Sequence, residues 1–173
     1  PMSEPWSQMT DVDRLADRHN EVAFEIPLDQ MPRVREQFAS AGGQVRGVAH
    51  FHREAGFRVA DLDMSGTARL VCQRCLGPME VPVAGSAHVA LIVSEDEADR
   101  VPPEFETVHV PENRVRVRDL VEEELLLTLP LSPLHEKPEE CRGEASTHDA
   151  PAPQEAPVRR GSQCNRRPQA RRR

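Results

Sequence analysis

The sequence predicts an α+β fold: an antiparallel β-sheet of about five strands with a C-terminal helix packed on it and a Cys-x-x-Cys knuckle between two strands. Three observations predict it. Apolar and polar residues alternate over several short runs between residues 22 and 93, the period of strands that bury one face. One strong helical pattern follows over residues 119–129. Cys72 and Cys75 fall in a turn between two alternating runs, where both sulfurs can meet one metal ion or each other.

Residues 1–20 read as an N-terminal arm with one amphipathic pattern, Val12, Leu15, Ala16 and His19. Residues 22–28 alternate Val22, Phe24 and Ile26 with Ala23 and Glu25, which suits a strand. Asp29 is then placed to cap a helix whose face is Met31, Val34, Phe38 and Ala41, with Pro32 in its first turn and Gly42-Gly43 ending it. Residues 44–52 set Val45, Ala49 and Phe51 against Arg46, His50 and His52, and the stretch 53–56 is a hairpin turn. The returning run 57–64 loses phase between Val59 and Leu62, which predicts a bulge.

Ser65-Gly66 turns the chain into the strand that delivers Cys72, and Gly77 supplies a turn with positive φ after the knuckle. Residues 79–83 return, pause at 84–86 and resume over 87–93. An acidic loop with two prolines spans 94–104, and 107–110 form a short edge strand. Asp119 is placed to cap the last helix with Glu122 at the capping-box position; Leu120, Val121, Leu125, Leu126 and Leu129 form its apolar face before Pro130. Pro130 and Pro133 hold the next residues extended, a path that carries His135 and Cys141 back toward Cys72 and Cys75. The domain is therefore 21–141. Residues 142–173 lack aromatic residues, Leu and Ile, and read as a disordered basic tail.

Composition narrows the class. One Trp, five Phe and no Tyr leave the core to Val, Leu, Ile and Met, and 16 Pro imply that part of the 173 residues is unpacked. No apolar run approaches the roughly 18 residues that span a bilayer. The first residues have neither a basic region nor an apolar segment, so the expectation is a cytoplasmic protein without a membrane partner, whose four cysteines are thiols or metal ligands. The net charge of −7 is uneven: seven arginines and no acid from residue 158 onward leave −14 on residues 1–157. An acidic body does not attract phosphate backbones, whereas a basic terminal arm does so without a fold of its own.

Cys72, Cys75, His135 and Cys141 supply four soft ligands, the number a closed tetrahedral zinc site needs. Two further readings stay open: reduced thiols in a turn, and a redox dithiol. The second lacks the helix that normally follows such a pair, since Pro78 and an alternating run come next. His50 and His52 share a strand face, which fits a second metal or a phosphate contact as well as a solvated polar face. Glu122, Glu123 and Glu124 are explained by a helix's first turn without catalysis. Arg58, Arg69 and Arg74 are read as a basic spot near the knuckle, with Arg69 sharing an exposed face with Thr67 and Gln73; Arg159, Arg160, Arg166 and Arg167 are the candidate contacts in the tail. No Gly-rich phosphate loop, dinucleotide fingerprint or Ser/His/Asp order occurs, so no small-molecule substrate is expected.

The block Leu70-Val71-Cys72-Gln73-Arg74-Cys75-Leu76-Gly77-Pro78, followed by residues 119–135 and Cys141, resembles the YceD family of bacterial large-ribosomal-RNA accumulation proteins over roughly residues 20–141. The resemblance implies a non-catalytic factor for synthesis, processing or stability of 23S rRNA, with large-subunit ribosomal RNA or a ribosomal protein as partner. By the same resemblance Cys72, Cys75 and Cys141 fall on the family's cysteine positions. A thiol-disulfide redox protein and a zinc-stapled adaptor that binds only protein are the alternatives. In place of the Asn-Pro-Phe-Ala-type ending that the resemblance implies, this chain ends in an Arg- and Pro-rich stretch. A terminal RNA-binding arm and an out-of-register reading of a GC-rich gene would both produce such an ending.

Overall fold

A short strand, β1 (Thr10–Asp11), and a helix, α1 (Val12–Asp17), lead into β2 (Glu21–Pro27) and α2 (Pro32–Gln37). Three long strands follow: β3 (Gly42–Glu54), β4 (Phe57–Val71) and β5 (Pro78–Ile92). The chain continues through α3 (Glu95–Ala98), β6 (Glu106–His109), β7 (Arg114–Val115) and α4 (Val117–Thr128). This computed structural model describes residues 4–38 and 41–141. The tail expected over 142–173, with Arg159, Arg160, Arg166 and Arg167, lies outside the described residues.

The main sheet has the order β2-β3-β4-β5-β6. Its first four strands are antiparallel, as expected, and the edge strand β6 runs parallel to β5. A parallel return needs a crossover of about a dozen residues. The stretch 93–105, which contains α3, supplies it. A separate two-stranded ribbon pairs Thr10 of β1 with Val115 of β7.

Two expected breaks are absent. β4 runs through Ser65-Gly66 and β5 through residues 84–86 as continuously paired strands, with Ser65 opposite Ala84 and Met64 opposite Gly85. A side chain at Gly85 would meet the Glu124 carboxylate at 2.6 Å, so smallness there admits α4 rather than a turn. The bulge expected near Val59 does not form either, for the register from Ala49–Leu62 through Phe51–Ala60 is unbroken. Phase is lost because both faces are apolar at this point: Ala60 joins the main core while Val59 meets Ala90 and Phe105 on the opposite face.

The main core lies between one sheet face and the helices. Phe24, Ile26, Val45, Phe51, Leu62, Leu70 and Leu91 face Leu120, Val121 and Leu125 of α4. Burying one such side chain contributes about 1.5–3 kcal/mol. Residues 4–20, read from the sequence as an arm, add Trp6, Val12 and Leu15 to this core.

Two helix starts differ from expectation. The residue before α2 is Met31, which provides no side-chain cap, while Asp29 sits in a 3-10 turn. Instead Glu122 of α4 reaches across and accepts the N–H groups of Arg33 and Val34 through Oε1, at 2.6 and 3.0 Å. α4 itself begins at Val117, two residues before Asp119, so Glu122 is a buried inward-facing residue and not part of a capping box.

Candidate metal centre

The centre forms where β4 ends. Cys72 N–H donates to the Gly77 carbonyl at 2.9 Å and Leu76 N–H to the Cys72 carbonyl at 2.8 Å, closing the knuckle around the Cys-x-x-Cys pair. The positive φ of the turn falls on Leu76, at 58°, and not on Gly77. Beyond α4 the proline-rich segment lies against the knuckle, with Gln73 N–H donating to the Pro133 carbonyl at 2.8 Å. A 3-10 turn over Pro138–Glu140 then curls Cys141 back toward His135.

All four expected donors meet. One ligand atom from each of Cys72, Cys75, His135 and Cys141 lies within 4.8 Å of every other. His135 Nδ1 is 3.5 Å from Cys75 Sγ and 3.5 Å from Cys141 Sγ. A tetrahedral ion with zinc–sulfur bonds of about 2.3 Å and a zinc–nitrogen bond of about 2.0 Å sets sulfur and nitrogen about 3.5 Å apart. His135 therefore stands at tetrahedral edge length from two of the three sulfurs, and these four residues could hold a metal ion.

The surrounding charge suits thiolates. Burial opposes ionisation of Cys72, which is wholly enclosed, but the backbone N–H groups of Cys75, His135 and Arg74 pull its thiol down to about 5. Burial pushes the Cys141 thiol up, and the neighbouring sulfurs of Cys75 and Cys72 add to that against the pull of Arg74. Arg74 donates through Nε to Cys141 Sγ at 3.1 Å and through Nη2 to the His135 carbonyl at 3.2 Å. It thus brings a positive charge beside a three-thiolate set that would otherwise leave a bound divalent ion with excess negative charge.

The three arginines read as a basic spot are separated. Arg58 lies at the far end of β4, where it pairs with Glu97 and donates to Asn113 at 3.0 Å. Arg69 shares the open sheet face with Thr67 and lines a cleft of about 640 Å³ with Arg46. Gln73 instead belongs to the knuckle. Opposite strand parity and a separation of eleven positions keep Arg58 from joining Arg69.

A groove of about 790 Å³ runs beside the centre between the start of β5 and residues 130–140. Its walls include Glu80, Glu136, Glu139 and Glu140 together with Pro78, Pro130 and Leu134. Leu76 and Leu131 are 77% and 81% exposed, so large apolar side chains stand free around the knuckle. Sequence reasoning missed this groove. The cluster of glutamates at 136, 139 and 140 was its available signal.

Among the described residues no helix is long and apolar enough to cross a membrane. An α+β domain closed by a Cys/His centre defines the class. The chain belongs to the YceD family: residues 60–171 match the family model described as Large ribosomal RNA subunit accumulation protein YceD. That membership supports a role in ribosome biogenesis. No solved structure matches the chain.

Proposed function

We propose that this protein is a non-catalytic, cytoplasmic assembly factor that supports accumulation of 23S rRNA by binding precursors of the large ribosomal subunit. The observation that carries the reading is the convergence of Cys72, Cys75, His135 and Cys141 within a chain matched by the YceD model. The metal is zinc in a structural role: four protein donors close the coordination shell and leave no open position for chemistry. Held this way, residues 130–141 become a fixed wall of the acidic groove rather than a loose extension.

The groove favours a protein contact over a nucleic-acid one at this end. Four glutamates repel phosphates and attract basic side chains, which fits a basic segment of a ribosomal protein. Direct RNA contact is a second reading, favoured by Arg46 and Arg69 on the open face. A redox role is disfavoured by the enclosure of Cys72, since attack on a disulfide requires an accessible thiolate.

The test is depletion of the protein, with sucrose-gradient analysis of the particles. The expected result is a fall in 23S relative to 16S rRNA and co-sedimentation of the protein with large-subunit precursors at low salt. An unchanged rRNA ratio together with protein confined to the top of the gradient would overturn the reading.

A further inference from the structure

A second cluster of ligand-bearing side chains occupies the open face of the sheet at the opposite end of the long hairpin. Register creates it. His50 of β3 is opposite Asp61 of β4, and Asp61 is opposite His88 of β5, so three adjacent strands place these residues in one row. His52, two residues from His50, points from the same face. The His50 and His52 rings stack with centroids 5.2 Å apart. Asp61 Oδ2 is 2.8 Å from His52 Nε2 and 3.9 Å from His50 Nδ1.

We propose that His50, His52 and Asp61 form a second, open site for a divalent transition-metal ion, with His88 as its positioning residue. One donor atom from each of the three lies within 4.8 Å of the others, a two-histidine, one-carboxylate set. His88 Nδ1 hydrogen-bonds the other carboxylate oxygen, Asp61 Oδ1, and thereby fixes the carboxylate. The His88 ring is itself held by stacking on Phe105, centroids 4.7 Å apart. Phe105 is anchored in the small core with Val59 and Ala90. Glu54 Oε2, 3.7 Å from His88 Nε2, completes the polar surround.

The site differs from the cysteine centre in kind and in place. Asp61 and Cys72 are separated by eleven positions of extended chain, about 35 Å, so no ion is shared. Three protein donors leave coordination positions free, and the site is reachable: the His50 and Asp61 side chains are each 39% exposed. An ion here takes further ligands from water or from an oxygen-rich partner. The inference does not depend on the proposed ribosomal role.

The test is a zinc titration by calorimetry on full-length protein without a polyhistidine tag, beside the variants His50→Ala/His52→Ala and His88→Ala. The comparison counts equivalents relative to wild type, so occupancy of the cysteine centre does not enter it. The expected result is one equivalent fewer in the double variant and a roughly tenfold or greater weakening in His88→Ala, the loss usual for a group that orients a ligand. Circular dichroism checks that the variants keep their fold. Equal zinc uptake by wild type and the double variant would overturn the site.

Discussion

Glu122 Oε1 accepts the backbone N–H of Val34 at 3.0 Å, so a carboxylate on α4 satisfies the first turn of α2 from 88 positions away in sequence. The same oxygen takes Arg33 N–H at 2.6 Å. Because Glu122 is 3% exposed, its removal leaves a buried donor at Val34 and a partly buried one at Arg33 without their acceptor. Replacing it should therefore cost more than losing an ordinary surface contact. Glu122→Ala is expected to lower stability by about 2–4 kcal/mol in urea denaturation, and Glu122→Gln, which keeps an acceptor, by about half as much. Equal losses in the two variants would assign the effect to packing.

The cysteine centre makes a prediction about melting. Metal binding at a closed four-donor site is coupled to folding, so removing the ion withdraws stabilisation from the native state. Treatment with a strong chelator, or Cys72→Ser, should lower the melting temperature by about 5 °C or more for a chain of this size. Arg74→Ala should weaken zinc binding roughly tenfold while leaving the four donors in place. Coincident melting curves with and without chelator would remove the structural-metal reading.

The strands were legible because alternation is a local property, and the centre was legible because prolines at 130 and 133 dictated an extended return to the knuckle. What escaped depends on distant partners. Glu122 sits in a run of three glutamates, and nothing local marks which one turns inward. The row His50–Asp61–His88 needs the hairpin register, which residue types alone do not determine. The direction of β6 depends on how the stretch 93–105 crosses the sheet, and its two prolines suggested only a loop. Trp6 lies outside the amphipathic pattern of Val12, Leu15, Ala16 and His19, yet it is buried in the core.

The hairpin turn between β3 and β4 offers a gain in stability. Two residues, Ala55 and Gly56, link Glu54 to its partner Phe57, with φ values of 50° and 83°. Both central positions of such a turn need positive φ, which suits glycine and asparagine and strains alanine. Ala55→Asn should raise stability by about 0.5 kcal/mol, and Ala55→Val should lower it, as read by thermal melting.

Asp13 joins α1 to the hairpin and gives stability a dependence on acid. Its Oδ1 accepts from Arg53 at 2.7 Å and its Oδ2 from Asn113 at 2.7 Å, with Arg58 3.7 Å away. Burial alone would raise its pKa, but hydrogen bonds from Arg53 and Asn113 and the two guanidinium charges outweigh it and hold the carboxyl below its ordinary value. A carboxyl whose folded pKa is depressed stabilises the native state above its unfolded pKa, and the contribution disappears as pH falls through the folded value. With the side chain 43% exposed, solvent screening keeps the effect below about 1 kcal/mol. Asp13→Asn should therefore be less stable than wild type near neutral pH, and the gap should begin to narrow below the ordinary carboxylate value of about 4 and close below the depressed folded value. Urea midpoints measured at several pH values test this: a gap that stays constant into acid would mean that the loss comes from altered hydrogen bonding at Asn113 and not from the charge.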